Sequence, residues 1–522
     1  MNQIRYLVLT LAFAGFVDAG AEQLTVREIL TGYQQGRFSA EQVVRDYLAL
    51  IERHEAELNA FTFLNPDAIA DAREIDRRRA AGESVGPLAG VPLVIKESMD
   101  VVGYPSTMGW APTSARAGGQ DFMPRRNAAV VQRLIDAGAI ILGKTNIPPF
   151  SDSNTRTTGS WDGETYNAID KTIAPGGSSS GTATAVAAGY APAGLAEESG
   201  GSIQSPAASQ SLVGIVPTFS LVPNTGVAPL GGDTLDVMGP IATNIYDAAL
   251  ILDVIAGTDA NDPKTLHSDD RVPPGGYTSL LSESALSGKR LGLYGRGFNV
   301  GELSAETVSL YRRAIRELEG RGATMVADPF EGSGFAELEQ LSPDGYDVRG
   351  YEVIPYALGV YLHGLGVDSL REFIELVGVD PFAESGPLQW YTSIPGSSEI
   401  LREPGKKPNL EEFVALRQQY REIFDAILSE HDIDAMVFPH ARDALPALES
   451  EENIGETTVE TINIGGLPVV TVPAGRYPCN GSPFGLVFVG RPFSEAELLA
   501  LAYDYEQSTQ HRIVPDLGKH LR

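Results

Sequence analysis

Short apolar runs that alternate with helical segments constrain the fold of this chain most. Residues 91–96, Val-Pro-Leu-Val-Ile-Lys, are typical of a buried strand. Residues 128–137 carry apolar side chains at helical spacing and end at Gly138, and residues 139–142 read as the next strand. Later segments repeat this alternation, with predicted strands at 291–294, 325–327, 435–438, 468–473 and 484–489 and predicted helices at 305–321 and 494–507. The pattern predicts an α/β fold with a predominantly parallel or mixed sheet between helices.

The first residues predict a separate, cleaved export signal over residues 1–21. Arg5 precedes an apolar run at 6–17, and Ala19-Gly20-Ala21 supplies the small residues that a signal peptidase requires. The run has about 12 residues, whereas a membrane-spanning helix needs roughly 20. A buried N-terminal helix is the alternative. We expect cleavage near Ala21, a secreted or periplasmic mature protein and no stable membrane insertion.

Charge and cysteine content exclude several classes of function. The chain has 522 residues, with 39 Lys and Arg against 68 Asp and Glu, which gives a net charge of −29. Phosphate binding requires clustered cations, so this charge argues against a nucleic-acid partner. The single cysteine, Cys479, excludes an intrachain disulfide and a multi-cysteine metal site, and we interpret it as a packed small residue. We expect neither a metal ion nor an organic cofactor.

Two motifs match known sites in their letters but fit them poorly. Residues 138–145, Gly-Ala-Ile-Ile-Leu-Gly-Lys-Thr, have the phosphate-loop pattern, yet their interior is a predicted strand rather than a flexible loop. Residues 177–181 contain Gly-x-Ser-x-Gly, which would make Ser179 the nucleophile of an α/β-hydrolase with His440 or His511 as the base. No apolar strand leads into this second motif, but a histidine-dependent hydrolase stays open as an alternative.

A Gly/Ser-rich segment spans residues 175–206. It combines two Gly/Ser clusters with a predicted helix of small residues at 183–188 between them. Serines at the two ends of one short helix can converge on one point, although Gly/Ser clusters are more often solvent-exposed loops. This segment alone therefore does not decide between a site and a loop.

Together with its surroundings, this segment resembles the core of the amidase signature family, hydrolases with a Ser, cis-Ser and Lys triad. Further matching motifs lie at residues 90–96, 142–146, 235–240, 247–257 and 466–475. The similarity is close over residues 85–260 and weaker in the C-terminal strands. It implies the fold of that family, a large mixed, mostly parallel sheet flanked by helices. Residues 22–522 would form one catalytic domain, and residues 340–410 would be a variable helical or loop insertion over the pocket.

The resemblance also implies roles for individual residues. Ser202 matches the nucleophile, Ser178 matches the bridging serine that follows a cis peptide bond, and Lys96 matches the base. The oxyanion hole is matched by the backbone N–H groups of Ser199, Gly200 and Gly201. In the insertion, Trp390 and Tyr391 are candidates for contact with the substrate.

These residue types suit the chemistry independently of the resemblance. A serine hydroxyl becomes a strong nucleophile when a neighbour takes its proton, and a lysine accepts a proton only when it is neutral. Lowering the pKa of a lysine from about 10.4 to about 7 requires burial, which the adjacent Val94 and Ile95 favour for Lys96. The alternative for Lys96 is a surface ion pair with Glu97.

The chain departs from the family pattern beside the nucleophile. The family commonly carries Gly-Thr-Asp-Thr before Gly-Gly-Ser, whereas this chain has Ala-Glu-Glu-Ser at residues 196–199. Where the family often has Arg, this chain has Gln204. Glu198 and Gln204 thus replace a usual Asp and Arg, and we expect the charge near the pocket to differ from that of the family.

The sequence therefore predicts an exported serine hydrolase that cleaves a carboxylic amide through an acyl-enzyme on Ser202. An esterase or carbamate hydrolase with the same triad is the nearest alternative, and a non-catalytic binding protein is a further one. We expect a small-molecule amide or ester substrate and a monomer or homodimer. The glutamyl-tRNA amidotransferase branch of the family fits poorly, because it requires RNA and a cytosolic or organellar location.

Overall fold

One mixed sheet of 11 strands forms the centre of the described chain. The computed structural model describes residues 23–342 and 346–519, so the predicted export signal lies outside the described residues. The strands are β1 Phe61–Leu64, β2 Pro92–Lys96, β3 Ile140–Thr145, β4 Ala193–Glu198, β5 Val213–Val216, β6 Val237–Ala242, β7 Arg290–Leu293, β8 Thr324–Val326, β9 Ala435–Pro439, β10 Val469–Arg476 and β11 Pro483–Val489. Their order across the sheet is β1-β3-β2-β4-β6-β5-β10-β11-β9-β7-β8.

The direction of the strands differs from the prediction. The α/β architecture is confirmed, but six of the ten pairings are antiparallel, so the sheet is mixed rather than mostly parallel. The four parallel pairs join β2 to β3 and β4, and β7 to β8 and β9. Strands such as β11 are buried along their whole length, and a continuous apolar run has the same appearance in either direction.

Fifteen helices surround the sheet in the described residues. They are α1 Val26–Gln34, α2 Ala40–Leu58, α3 Ala68–Ala80, α4 Ala129–Asp136, α5 Ser180–Ala187, α6 Gln204–Ser209, α7 Gly232–Leu235, α8 Ile245–Ile255, α9 Ala305–Gly320, α10 Ile354–Gly364, α11 Leu370–Val377, α12 Ser397–Arg402, α13 Glu411–Glu430, α14 Val459–Gly465 and α15 Glu495–Thr509. Local sequence explains where several begin. Thr25 and Glu28 form a reciprocal capping box at α1, and Ser39 caps α2 by accepting from the N–H of Gln42.

Two hydrophobic clusters hold the molecule together. The main cluster fills the space between the sheet and the helices around it. The second cluster joins α10 and α11 to the loops that carry Trp110 and Phe150, whose rings lie 5.4 Å apart. The segment at 340–410 therefore contains helices and a core of its own. Tyr361 of α10 ties it to the region after β2 by donating to Asp100, at 2.7 Å.

The phosphate-loop pattern at residues 138–145 is part of the sheet. Its last six residues are β3, and Lys144 is fully buried with its Nζ 3.3 Å from Oε1 of Glu97. This lysine is thus occupied by an internal ion pair. Across residues 23–342 and 346–519, no helix combines the length and the apolar character that crossing a membrane requires.

Candidate active site

The carboxyl ends of β2 and β4 bring the predicted triad together. These strands are parallel neighbours, with Ile95 paired to Leu195, so Lys96 and the loop after β4 lie at the same edge. Ser178 precedes α5, which packs on both strands. Nζ of Lys96 is 2.7 Å from Oγ of Ser178, which is 2.9 Å from Oγ of Ser202. The peptide bond between Gly177 and Ser178 is cis. An unbroken hydrogen-bonded chain thus joins the lysine to the second serine.

Lys96 is completely buried and has a carboxylate beside it. Its Nζ also donates to the backbone oxygen of Glu197, at 2.9 Å, and to the Oε2 of the same residue, at 2.7 Å. Burial lowers the pKa of Lys96 below its usual value, and the charges of Glu197, Asp236 and Glu198 oppose this shift. The expected alternative, a surface ion pair with Glu97, does not form, because Glu97 contacts Lys144 instead.

A second carboxyl group continues this network. Oγ of Ser199 is 3.0 Å from Oε1 of Glu197 and also hydrogen bonds to Asp236. Burial and the charge of Glu197 raise the pKa of Asp236 to about 7. One hydroxyl proton serves one acceptor at a time, so a proton on the carboxyl of Asp236 satisfies both contacts of Ser199.

The loop before Ser202 presents free backbone donors. The N–H groups of Gly200, Gly201 and Ser202 make no hydrogen bond to any residue between 23 and 342 or between 346 and 519. Gly201 has a φ of +90°, and a Cβ at this position would lie 2.4 Å from Oε1 of Glu456. A Cβ at Gly200 would lie 3.0 Å from the hydroxyl of Tyr351. Tyr351 and Glu456 therefore cover the loop, and no local sequence signal pointed to either.

The two departures from the family pattern contact each other. Glu198 accepts from the backbone N–H groups of Ile203, at 2.8 Å, and Gln204, at 3.0 Å. Its other oxygen accepts from the side-chain amides of Gln204, at 2.7 Å, and Asn463, at 3.0 Å. The carboxylate thus fixes the start of α6, directly after Ser202, so the two replacements form a compact buried pair.

The two aromatic candidates of the insertion occupy different positions. The indole of Trp390 donates to Oδ2 of Asp152, at 2.6 Å, and its ring meets that of Tyr351 edge-on, at 5.5 Å. Burial raises the pKa of Asp152 to about 7. Tyr391 is fully buried in the second cluster, and its hydroxyl donates to the backbone oxygen of Glu352. Trp390 thus lies beside a residue that covers the loop, whereas Tyr391 serves packing.

The histidine-dependent alternative lacks its geometry. Oγ of Ser179 donates to the backbone oxygen of Ser202, at 2.6 Å. Nε2 of His511 is 3.0 Å from Glu317, and Nε2 of His440 has no hydrogen-bond partner among the described residues. Burial lowers the pKa of His440 to about 3. Neither histidine therefore contacts the serine that this alternative would use.

A family model named Amidase matches residues 42–499. The chain belongs to the amidase family. This amidase is 30% identical over 494 residues to one subunit of the glutamyl-tRNA(Gln) amidotransferase of Synechococcus sp. (strain CC9605), and the match covers 91% of this chain and 94% of the relative. The same subunit from Moorella thermoacetica (strain ATCC 39073 / JCM 9320) is 31% identical, over 95% and 99% of the two chains.

The structure of peptide amidase from Stenotrophomonas maltophilia superimposes on this amidase with a TM-score of 0.75 and 30% identity, covering 95% of this chain and 99% of that chain. The predicted family resemblance is therefore confirmed. The protein is an amide-hydrolysing enzyme that cleaves C–N bonds, and its mixed sheet is that of the family.

Proposed function

We propose that this amidase hydrolyses small-molecule carboxylic amides through an acyl-enzyme on Ser202, with Ser178 and Lys96 as the proton relay. The observation that carries this proposal is the buried chain of two hydrogen bonds, of 2.7 and 2.9 Å, from Lys96 to Ser202. Burial favours the neutral lysine that a base requires.

The relay moves one proton in each direction. Neutral Lys96 takes the proton of Ser178 while Ser178 takes that of Ser202, and Oγ of Ser202 bonds to the carbonyl carbon. The carbonyl electron pair moves to the oxygen, which accepts hydrogen bonds from the backbone N–H groups of the loop at Ser199, Gly200 and Gly201. The C–N bond then breaks, and the proton returns through Ser178 to the leaving nitrogen. Water repeats the sequence and releases the acid.

The surroundings of the loop favour certain substrates. Tyr351 and Trp390 provide aromatic surface, while Asp152 and Glu456 provide carboxyl groups with no lysine or arginine hydrogen-bonded to them among the described residues. An anionic acyl group would be repelled here, so we expect an uncharged or cationic one. An ester or carbamate remains the second candidate, because the same acyl transfer serves any carbonyl with a competent leaving group.

The location and partners of the enzyme follow from the sequence. Two of its relatives are named as subunits of a tRNA-dependent amidotransferase. The net charge of −29 and the predicted export signal favour an exported enzyme that acts without RNA, as a monomer or homodimer. N-terminal sequencing of the protein from an expressing cell should begin after Ala21, and retention of the first residues in all of the protein would contradict export.

Labelling with a fluorophosphonate probe tests the nucleophile directly. We expect the wild type to be labelled, Ser202→Ala to lose labelling and hydrolysis, and Ser179→Ala to keep labelling. A panel of primary amides, anilides, peptide amides, esters and carbamates then ranks the substrates. Labelling that survives Ser202→Ala but disappears in Ser179→Ala would assign the reaction to the other serine.

A further inference from the structure

Glu197 stands where the family pattern usually has a threonine. It lies near the end of β4, its side chain is 1% exposed, and its carboxylate contacts the lysine of the triad. A buried charge directly on the base is a large departure, since a threonine at this position would leave Lys96 with no carboxylate in contact.

The contacts of Lys96 show what this carboxylate does to the amine. Nζ has three partners, which are Oγ of Ser178 and the backbone and side-chain oxygens of Glu197. A neutral amine has two N–H donors and one lone pair. With both N–H groups directed to the oxygens of Glu197, the lone pair points to the hydroxyl of Ser178. Glu197 therefore aims the amine in its reactive state.

Several ionisable groups act on this pair. Lys96 is influenced by Glu197, and more weakly by Asp236 and Glu198. Tyr351 lies within the field of Glu197 and Asp236 from the side of the insertion. Burial disfavours the positive charge that Lys96 gains when it takes the proton, and Glu197 is the group in direct contact that compensates it.

We propose that Glu197 is a positioning residue that aims Lys96 at Ser178 and balances the positive charge formed on Lys96 during proton transfer. This inference rests on the proposed function. Because the carboxylate stabilises the ammonium form, the acid limb of the reaction lies at a higher pH than it would with threonine. Removing the carboxylate should move that limb to lower pH by about one unit or more. Losing the aim of the amine should also lower the plateau rate about tenfold or more.

The pH dependence of fluorophosphonate labelling measures both effects without a known substrate. Glu197→Thr, which introduces the usual family residue, and Glu197→Gln should both shift the acid limb downward and lower the plateau. Glu197→Asp keeps the charge, so its acid limb should stay close to that of the wild type. Glu430→Gln removes one exposed carboxylate at the end of α13 and should leave the profile unchanged.

The outcomes separate this inference from the function beneath it. A wild type that is not labelled, or labelling that survives Ser202→Ala, contradicts the proposed function itself. Labelling of folded Glu197→Thr and Glu197→Gln with the acid limb and plateau of the wild type overturns the role of Glu197. If neither variant folds, Glu197→Asp decides, because an acid limb displaced as far as loss of the charge requires would overturn the role as well.

Discussion

Replacing Gly201 with alanine tests how closely the covering residues lie against the loop before Ser202. The new Cβ would be 2.4 Å from Oε1 of Glu456, whose other oxygen is held by Asn154 at 2.7 Å. The φ of +90° costs an alanine about 1–2 kcal/mol. The overlap costs about 1–3 kcal/mol more, because Glu456 is buried and must shift. We expect Gly201→Ala to lose about 2–5 kcal/mol of unfolding free energy.

Two other glycines provide matched controls. Gly378, after α11, has a φ of +74° and open space around its Cβ position, so Gly378→Ala should lose about 1–2 kcal/mol. Gly359 lies within α10 without a positive φ and also has open space, so Gly359→Ala should gain about 0.5–1 kcal/mol. The difference between Gly201→Ala and Gly378→Ala isolates the overlap with Glu456.

Urea unfolding ranks the three variants, and probe labelling reports the loop. A displacement of the loop by about 1 Å should slow labelling of Ser202 roughly 100-fold in Gly201→Ala, while the controls keep the wild-type rate. If Gly201→Ala unfolds no more easily than Gly378→Ala and is labelled at the wild-type rate, Glu456 does not lie against Gly201.

Three further predictions address neighbouring groups. Glu198→Ala leaves four buried donors without their acceptor and should cost about 3–5 kcal/mol in urea unfolding, whereas Glu198→Gln should cost less. Because the pKa of Asp152 is raised to about 7 in the folded state, the stability it contributes is present below about pH 4 and lost as the pH rises to about 7. Asp152→Asn should make this decline shallower by about 1 kcal/mol per pH unit, and an unchanged slope would refute the burial of that carboxyl. His440→Asn and His511→Asn should both retain labelling and hydrolysis, and loss of both in either would revive the histidine-dependent alternative.

The sequence predicted the strands that are apolar throughout and missed those that are not. β2, β9 and β11 are continuous apolar runs because both faces of the sheet are covered. β4 ends with Glu197 and Glu198, and two consecutive charges do not resemble a buried strand. α10 lacked a helical period in the sequence because apolar residues lie on nearly all of its sides.

The triad could be predicted, but its surroundings could not. Lys96, Ser178 and Ser202 lie in motifs with a characteristic order, and the structure places them in contact. The partnership of Lys96 with Glu197 depends on β2 and β4 being neighbours, which no local pattern encodes. Tyr351 and Glu456 reach the loop from distant parts of the chain, so only the folded structure identifies them.

The two hydrophobic clusters anchor the reacting groups and the covering wall separately. Lys96 and Ser202 follow strands that belong to the main cluster. Trp390 and Tyr391 are held by the second cluster, together with α10 and α11. Substitutions inside the second cluster reshape the wall above Gly200 while the spacing of β2 and β4 stays fixed. New substrate preferences can therefore evolve in this enzyme through that cluster alone, with the bond-breaking apparatus inherited unchanged.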